Sequence, residues 1–343
     1  MYEMKGKKYS IIVLLICICV SLIGCGKNNS SKSSDSDKKA SEISNNSQDT
    51  ESTNESDNIS FEFKKDSNID ETILYDEKEM KIVAKTLEYG NSAVSLKVEI
   101  TNKTKKQISV VSGTLGFPVN AINGFMTKGG YLNCDIPAGS TIEEELKYTY
   151  NDLLIMGISE IADITLGFMA NDGDYNKIAQ TDVINIKTNI ASSYDYAGER
   201  ARFHKMLNSD VFQNTYESKI LSFSDQELLS ENGIAILSKT YVENKDGKRS
   251  LMLEIKNESD SVLYFRTLKL KANDVMLYDG TWSQDVIAPG KLCIVDINIS
   301  KAVEKAEEKV EIGDITDISC DISAATQTGM VAMEHKDFHI SIK

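Results

Sequence analysis

Apolar and polar side chains alternate in the same way along two stretches of this chain. Leu96, Val98 and Ile100 are separated by Lys97, Glu99 and Thr101, and Leu251, Leu253 and Ile255 by Met252, Glu254 and Lys256. A period of two sends one set to each face of an extended backbone, so each stretch predicts a half-buried β-strand. The residues that follow, Asn102-Lys103-Thr104-Lys105 and Asn257-Glu258-Ser259-Asp260, are short and polar, as a tight reversal requires. Short strands recur from Met80 to Lys187 and from Ile234 to Lys343, punctuated at Gly129-Gly130, Pro137 and Pro289.

The two stretches belong to an internal repeat. LKVEITNKT begins at Leu96 and LMLEIKNES at Leu251. Leu74 to Glu77 aligns with Leu229 to Asn232, Lys85-Thr86 with Lys239-Thr240, and Asp135 to Gly139 with Val286 to Gly290. Ile161 to Thr165 aligns with Ile315 to Ser319, and Ile184 to Lys187 with Ile340 to Lys343. Matched blocks in one order with nearly constant spacing imply duplication of a single unit. Each unit of roughly 120 residues holding short alternating strands has the rhythm of an immunoglobulin-like β-sandwich. The predicted fold is all-β, with one sandwich over residues 61–189 and a second over 221–343. Between them, over residues 190–220, Phe203, Met206, Leu207 and Val211 stand at helical spacing. A short helix from near Glu199 is expected there, packed on a sandwich or bridging the two.

The amino-terminal pattern is different. Lys5, Lys7 and Lys8 precede an apolar run from Ile11 to Ile23, the order of a secretory signal over residues 1–24. That run is shorter than the ~20 apolar residues that span a bilayer. It ends in Leu22-Ile23-Gly24-Cys25, where a small residue gives a peptidase access and a thiol offers the nucleophile for alkylation. Residues 25–60 follow as a tether: 11 serines fall between Gly26 and Ser60, with only Ile43 and Ile59 as large apolar residues. Such a tract buries too little surface to offset its ordering entropy, and its root-mean-square reach is about 30–35 Å.

Leu22-Ile23-Gly24-Cys25 resembles the lipobox of bacterial lipoproteins, which implies a diacylglycerol on the Cys25 thiol and a new amino terminus there. Two or more acyl chains make a stable anchor. With the tether and the tandem sandwiches, the layout resembles a group of clostridial-type Gram-positive lipoproteins carrying immunoglobulin-like domains of unknown function. The resemblance rests on the lipobox and, within the domains, on the ILYDE-like opening at Ile73, the LKVEITN strand and the IADITL segment. It implies display on the outer face of the cell membrane and a binding role, without naming a ligand.

Composition narrows the chemistry. Across 343 residues, 38 Lys and Arg against 52 Asp and Glu give a net charge of -14, so a nucleic-acid partner starts at an electrostatic loss. Six cysteines, of which Cys17 and Cys19 lie in the signal, are too few for a disulfide scaffold, and three histidines leave little for a metal centre. His335 and His339 stand four apart, yet Phe338, Ile340 and Ile342 suggest a strand, where that spacing is not the helical zinc pair. His204 is expected to be a partly exposed helix residue. Asn171-Asp172-Gly173-Asp174 reads as a hairpin turn in preference to a fragment of a calcium loop. Cys134, Cys293 and Cys320 are taken as buried thiols, with a Cys293–Cys320 disulfide as the alternative. Tyr278 and Trp282 form a ligand patch on a loop or belong to the core; the residues do not decide between the two.

No catalytic set, cofactor motif or metal motif stands out, and the matched positions of the repeat, Asp163 and Asp317 among them, are apolar, turn-forming or ordinary surface charges. The expectation is a non-enzymatic binding or adaptor module of the cell envelope, anchored by lipid, with an envelope protein or glycan as partner. A structural spacer is the alternative, and a surface hydrolase a more remote one.

Overall fold

In the computed structural model, residues 62–113 and 119–342 are described. Leu22, Ile23, Gly24, Cys25 and the whole of the tether therefore lie outside the described residues. Among the described residues no helix is long and apolar enough to cross a membrane.

The first half contains β1 (Thr72–Asp76), β2 (Met80–Tyr89), β3 (Ala93–Asn102), β4 (Ile108–Ser112), β5 (Asn120–Ile122), β6 (Phe125–Met126), β7 (Leu132–Ile136) and β8 (Thr141–Thr149). After a short helix, α1 (Tyr150–Leu154), come β9 (Asp163–Leu166), β10 (Met169–Asn171), β11 (Lys177–Gln180) and β12 (Ile184–Lys187). Two helices, α2 (Glu199–Leu207) and α3 (Asp210–Thr215), lead to the second half. That half holds β13 (Ser218–Ser224), β14 (Leu229–Glu231), β15 (Ile234–Asn244), β16 (Arg249–Asn257), β17 (Leu263–Ala272), β18 (Val275–Ile287) and β19 (Leu292–Asn298). Helix α4 (Ile299–Lys305), β20 (Asp317–Thr326) and β21 (Val331–Ser341) complete it.

The fold is all-β, and each half is a two-sheet sandwich. Sheet order β1-β2-β3-β8 in the first half corresponds to β14-β15-β16-β19 in the second, where β13 adds a further pairing along β15, and β11-β10-β4-β7 corresponds to β21-β20-β17-β18. The sandwich architecture is that of immunoglobulin-like domains, whereas the strand order departs from the ABED and CFG sheets of antibody domains. In the second half the facing sheet is made of long strands. In the first half its strands are interrupted, so that β12-β9-β5-β6 separates from β11-β10-β4-β7.

The repeated asparagines explain the repeated turns. Asn102 is fully buried; its amide donates to the carbonyls of Lys106, Ile136 and Pro137, and its oxygen accepts from Thr104 N. Asn257, equally buried, donates to Ser261 O and Ile287 O and accepts from Ser259 N. Each pins a reversal to the opposite sheet with groups that would otherwise be buried without partners. Asn123 and Asn273 form a second pair. Both sit in the left-handed region that asparagine tolerates, and Oδ1 of each accepts from two successive amides, Ala162 and Asp163 or Thr316 and Asp317.

The halves are joined by more than the chain. Phe203, Leu207 and Phe212 of the connector helices are buried in the first half's core, which also takes Leu292 and packs against Val242, Met252 and Ile294 of the second. The β5–β6 hairpin docks on β19: Leu292 N donates to Gly124 O at 2.8 Å, and Leu292 pairs with Phe125 in parallel. One nine-stranded sheet, with the order β12-β9-β5-β6-β19-β16-β15-β13 and β14 branching from β15, thereby crosses the junction. The connector helices bridge both sandwiches.

Candidate functional site

Three hollows meet along β19. The largest of them, about 630 Å³, is more polar than the second and lined by Lys128, Tyr264, Arg266, Gln284, Asp285 and Cys293 among others. The second, about 350 Å³, is mostly apolar, walled by Met126, Ile155, Met156, Phe203, Phe212 and Met252 and closed by Ile294 and Asp296. The third, about 250 Å³, contains Tyr278, Trp282, Lys301 and Lys305 with Asp296 and Asn298. Met126, Thr127, Lys128 and Ile294 line both the first and the second; Asp296 and Asn298 line both the second and the third. At ~3.3 Å per residue the stretch from Cys293 to Asn298 runs about 17 Å, so the three form one trough.

Chemistry changes along this trough. In the polar hollow, burial pushes the Asp285 carboxyl above the usual range, against the pull of Lys128. Arg266 Nε donates to Gln284 Oε1 at 2.6 Å, which fixes the guanidinium at the rim. Three methionines in the apolar hollow give a deformable wall that accommodates varied apolar shapes.

Tyr278 and Trp282, which sequence left between loop and core, are brought together on a strand. Both lie on β18, half-buried against the second half's core, with ring centroids 5.4 Å apart in an edge-to-face arrangement. The pairing of this stretch with β17 is irregular, with three register shifts between Thr267 and Lys271. Lys305 Nζ stands 5.3 Å from the Tyr278 ring and 5.6 Å from that of Trp282, covering both with a cation. Core and patch are thus both served: one side of the pair packs inward and the other lines the trough.

The remaining candidates separate. His335 Nε2 lies 3.2 Å from Glu231 Oε1, at an angle that makes no hydrogen bond, while His339 Nδ1 lies 2.7 Å from Asp317 Oδ1. The two histidines attend different carboxylates and form no shared ligand set. Its hydrogen bond to Asp317 holds His339 above the usual imidazole range. Asp172 Oδ1 accepts from the amides of Asp174 and Asn176, so this carboxylate pins the β10–β11 hairpin. Cys134, Cys293 and Cys320 are free thiols. Burial pushes Cys134 and Cys320 up to about 12 and raises Cys293 further, which leaves all three as inert thiols.

One cluster was not legible in the sequence. Glu254 on β16 is 2% exposed, and it receives Arg200 Nε at 2.9 Å, Ser238 Oγ at 2.8 Å and a contact from His204 Nε2 at 3.1 Å. Arg200 also pairs with Asp225, and His204 rests edge-on against Phe223. His204, Asp225 and Glu254 bring ligand atoms within 4.8 Å of one another, the donor set of a metal site. The Arg200 guanidinium already supplies the cation that these carboxylates need, and a metal ion would have to displace it. The arrangement is an ionic latch that fastens α2 to the second half. Burial pushes the Glu254 carboxyl up, but hydrogen bonds from His204, Arg200 and Ser238 outweigh it and hold the group below its ordinary value. The sequence shows Glu254 only as the wet face of an alternating strand; the burying element lies some 50 residues away.

A second carboxylate sits at the junction itself. Glu199 is 4% exposed; Tyr194 Oη donates to its Oε1 at 2.5 Å and no group bonds its Oε2. Burial pushes Glu199 up to about 8. Nearby, Lys291 of the second half reaches Asp163 of the first at 3.4 Å.

No family model and no curated protein matches the chain. Among solved structures it is similar to red sea bream transglutaminase at 10% identity and a TM-score of 0.19, over 76% of this chain and 32% of that one. It is similar to chicken MD-1 complexed with lipid IVa at 13% identity and 0.17, over 35% and 99%. A bacterial ice-binding adhesin gives 9% identity and 0.16, over 72% and 57%. This chain thus spans about a third of the transglutaminase, and likenesses at such TM-scores carry no argument about fold or activity.

Proposed function

We propose that this chain is a lipoprotein held on the outer face of the cell membrane through Cys25, and that its folded part is a non-enzymatic binding module whose site is the trough along β19. The observation that carries the binding reading is the row of three chemically distinct hollows that share lining residues along β19, two of them between the halves, the kind of place where ligand sites form. A shared core between the halves supports a preformed shape, which lowers the ordering cost of binding. The lipobox residues Leu22, Ile23, Gly24 and Cys25 support the anchoring, and the tether supports display away from the bilayer. Envelope protein or glycan is the expected partner class, and no cofactor enters.

A photo-cross-linking residue at Lys128, in the trough, is compared on intact cells with one at exposed Lys177. A saturable adduct from position 128 and none from 177 is the expected result. No adduct from either at equal display would overturn the binding reading in favour of a spacer. For the anchor, Cys25→Ala is expected to abolish incorporation of labelled fatty acid and partition with membranes; a variant that keeps both sinks the lipoprotein reading.

A further inference from the structure

We propose that β19 is a docking edge for an extended peptide, which adds to the sheet as a strand and sends alternate side chains into the polar and the apolar hollow. This deepens the binding reading above and rests on it. Leu292 N donates to Gly124 O, so the main-chain groups of Leu292 face away from β16. Successive residues of a strand direct these groups to opposite sides, so those of Ile294 and Asp296 face the same way as Leu292's. β6 covers only the start of this edge, pairing at Leu292 alone and then turning aside, with Thr127 N donating to Asn120 O. Among the described residues, no group bonds to the main chain of Ile294 or Asp296 on that side.

The two hollows flank this open edge. Cys293, on the sandwich-facing side of β19, lines the polar one and Asp296, on the outer side, the apolar one, while Ile294 between them borders both. A strand laid along the edge has the same alternation, so apolar and polar residues at every second position match the two chambers at once. A lipid would fill the apolar hollow but leave the row of donors and acceptors unused. The equivalent strand of the first half marks the contrast. β8 reads TIEEELKYT and carries three glutamates and a lysine, the charges that guard an edge, whereas β19 reads LCIVDIN with a single charge.

The test pans a library of random linear heptapeptides on the full chain held in phosphatidylcholine vesicles, with empty vesicles as counter-selection. Enriched peptides are expected to carry apolar residues at alternate positions and to lose about 3- to 10-fold in affinity on methylation of one central amide, as one lost hydrogen bond implies. Ile294→Pro, which removes a donor that the fold does not use, is expected to weaken them similarly, and Ile294→Val to leave them unchanged. Binding lost in Met252→Lys but indifferent to Ile294→Pro and to amide methylation would overturn strand addition while leaving the trough as the binding site. No enriched peptide, or peptides indifferent to all these changes, would also overturn it; the cross-link from position 128 then decides the trough reading separately.

Discussion

The two halves share a strand order and differ in what they do with it. At matched positions of the repeat, Glu99 on β3 is half-exposed while Glu254 on β16 is sealed beneath α2 and held by Arg200, His204 and Ser238. The edge strand β8 is guarded by charge, whereas β19 is nearly bare and bordered by hollows. The β5–β6 hairpin is buried at Phe125 against the second half; its counterpart at Asn273-Asp274 is exposed. Duplication supplied the scaffold twice, and the connector then made the second copy's outer face into an interface. A repeated fold therefore does not imply a repeated site.

The sharpest way to break this comparison is to truncate the matched glutamates. Glu254→Ala removes the buried carboxylate that Arg200, Ser238 and His204 share, leaves the half-exposed Arg200 with Asp225 alone, and is expected to cost about 2–3 kcal/mol by denaturant unfolding. The folded carboxyl titrates below its ordinary value of 4.5, so the contribution of the latch is present above that pH and is lost as pH falls through the lower folded value.

Next in size is the pH dependence set by Glu199. Its folded value lies near 8 against an ordinary 4.5, so its contribution is full below 4.5 and declines as pH rises toward 8. The unfolding midpoint is expected to fall across that window by an amount worth on the order of a few kcal/mol at most, and Glu199→Gln to flatten the decline. A midpoint that is level from pH 5 to 8, or a slope unchanged in Glu199→Gln, would remove the buried junction carboxyl from the account.

The turn-pinning asparagines test what the halves have in common. Asn102→Ala and Asn257→Ala each strand buried carbonyls and are expected to cost about 2 kcal/mol apiece, with similar losses in unfolding experiments. A loss in one half alone would show that the repeat is not used alike. The smallest effect belongs to Glu99→Ala, expected within about 0.5 kcal/mol of the parent as for other open surface positions.

Strand alternation, the repeat and the connector helix were readable because each depends on residues near in sequence. Leu96, Val98 and Ile100 are fully buried on β3, as are Leu251, Leu253 and Ile255 on β16. The period-two pattern needs no knowledge of what covers it. The same pattern misassigned Glu254, because a strand's wet face stays wet only where nothing packs on it. His204, read as a partly exposed helix residue, became part of a latch for the same reason.

What the sequence determined by itself was local: all-β strands with their faces, polar reversals and the repeat of one unit. Backbone geometry and side-chain type dictate these over a few residues. Only tertiary structure decided that β19 keeps an open edge, that Tyr278 and Trp282 lie on one strand beneath Lys305, and that Arg200 meets Glu254 and Asp225. Each of those depends on where a distant segment docks. A hydrogen bond or ion pair acts over a few ångströms of space, whatever the separation of its partners along the chain.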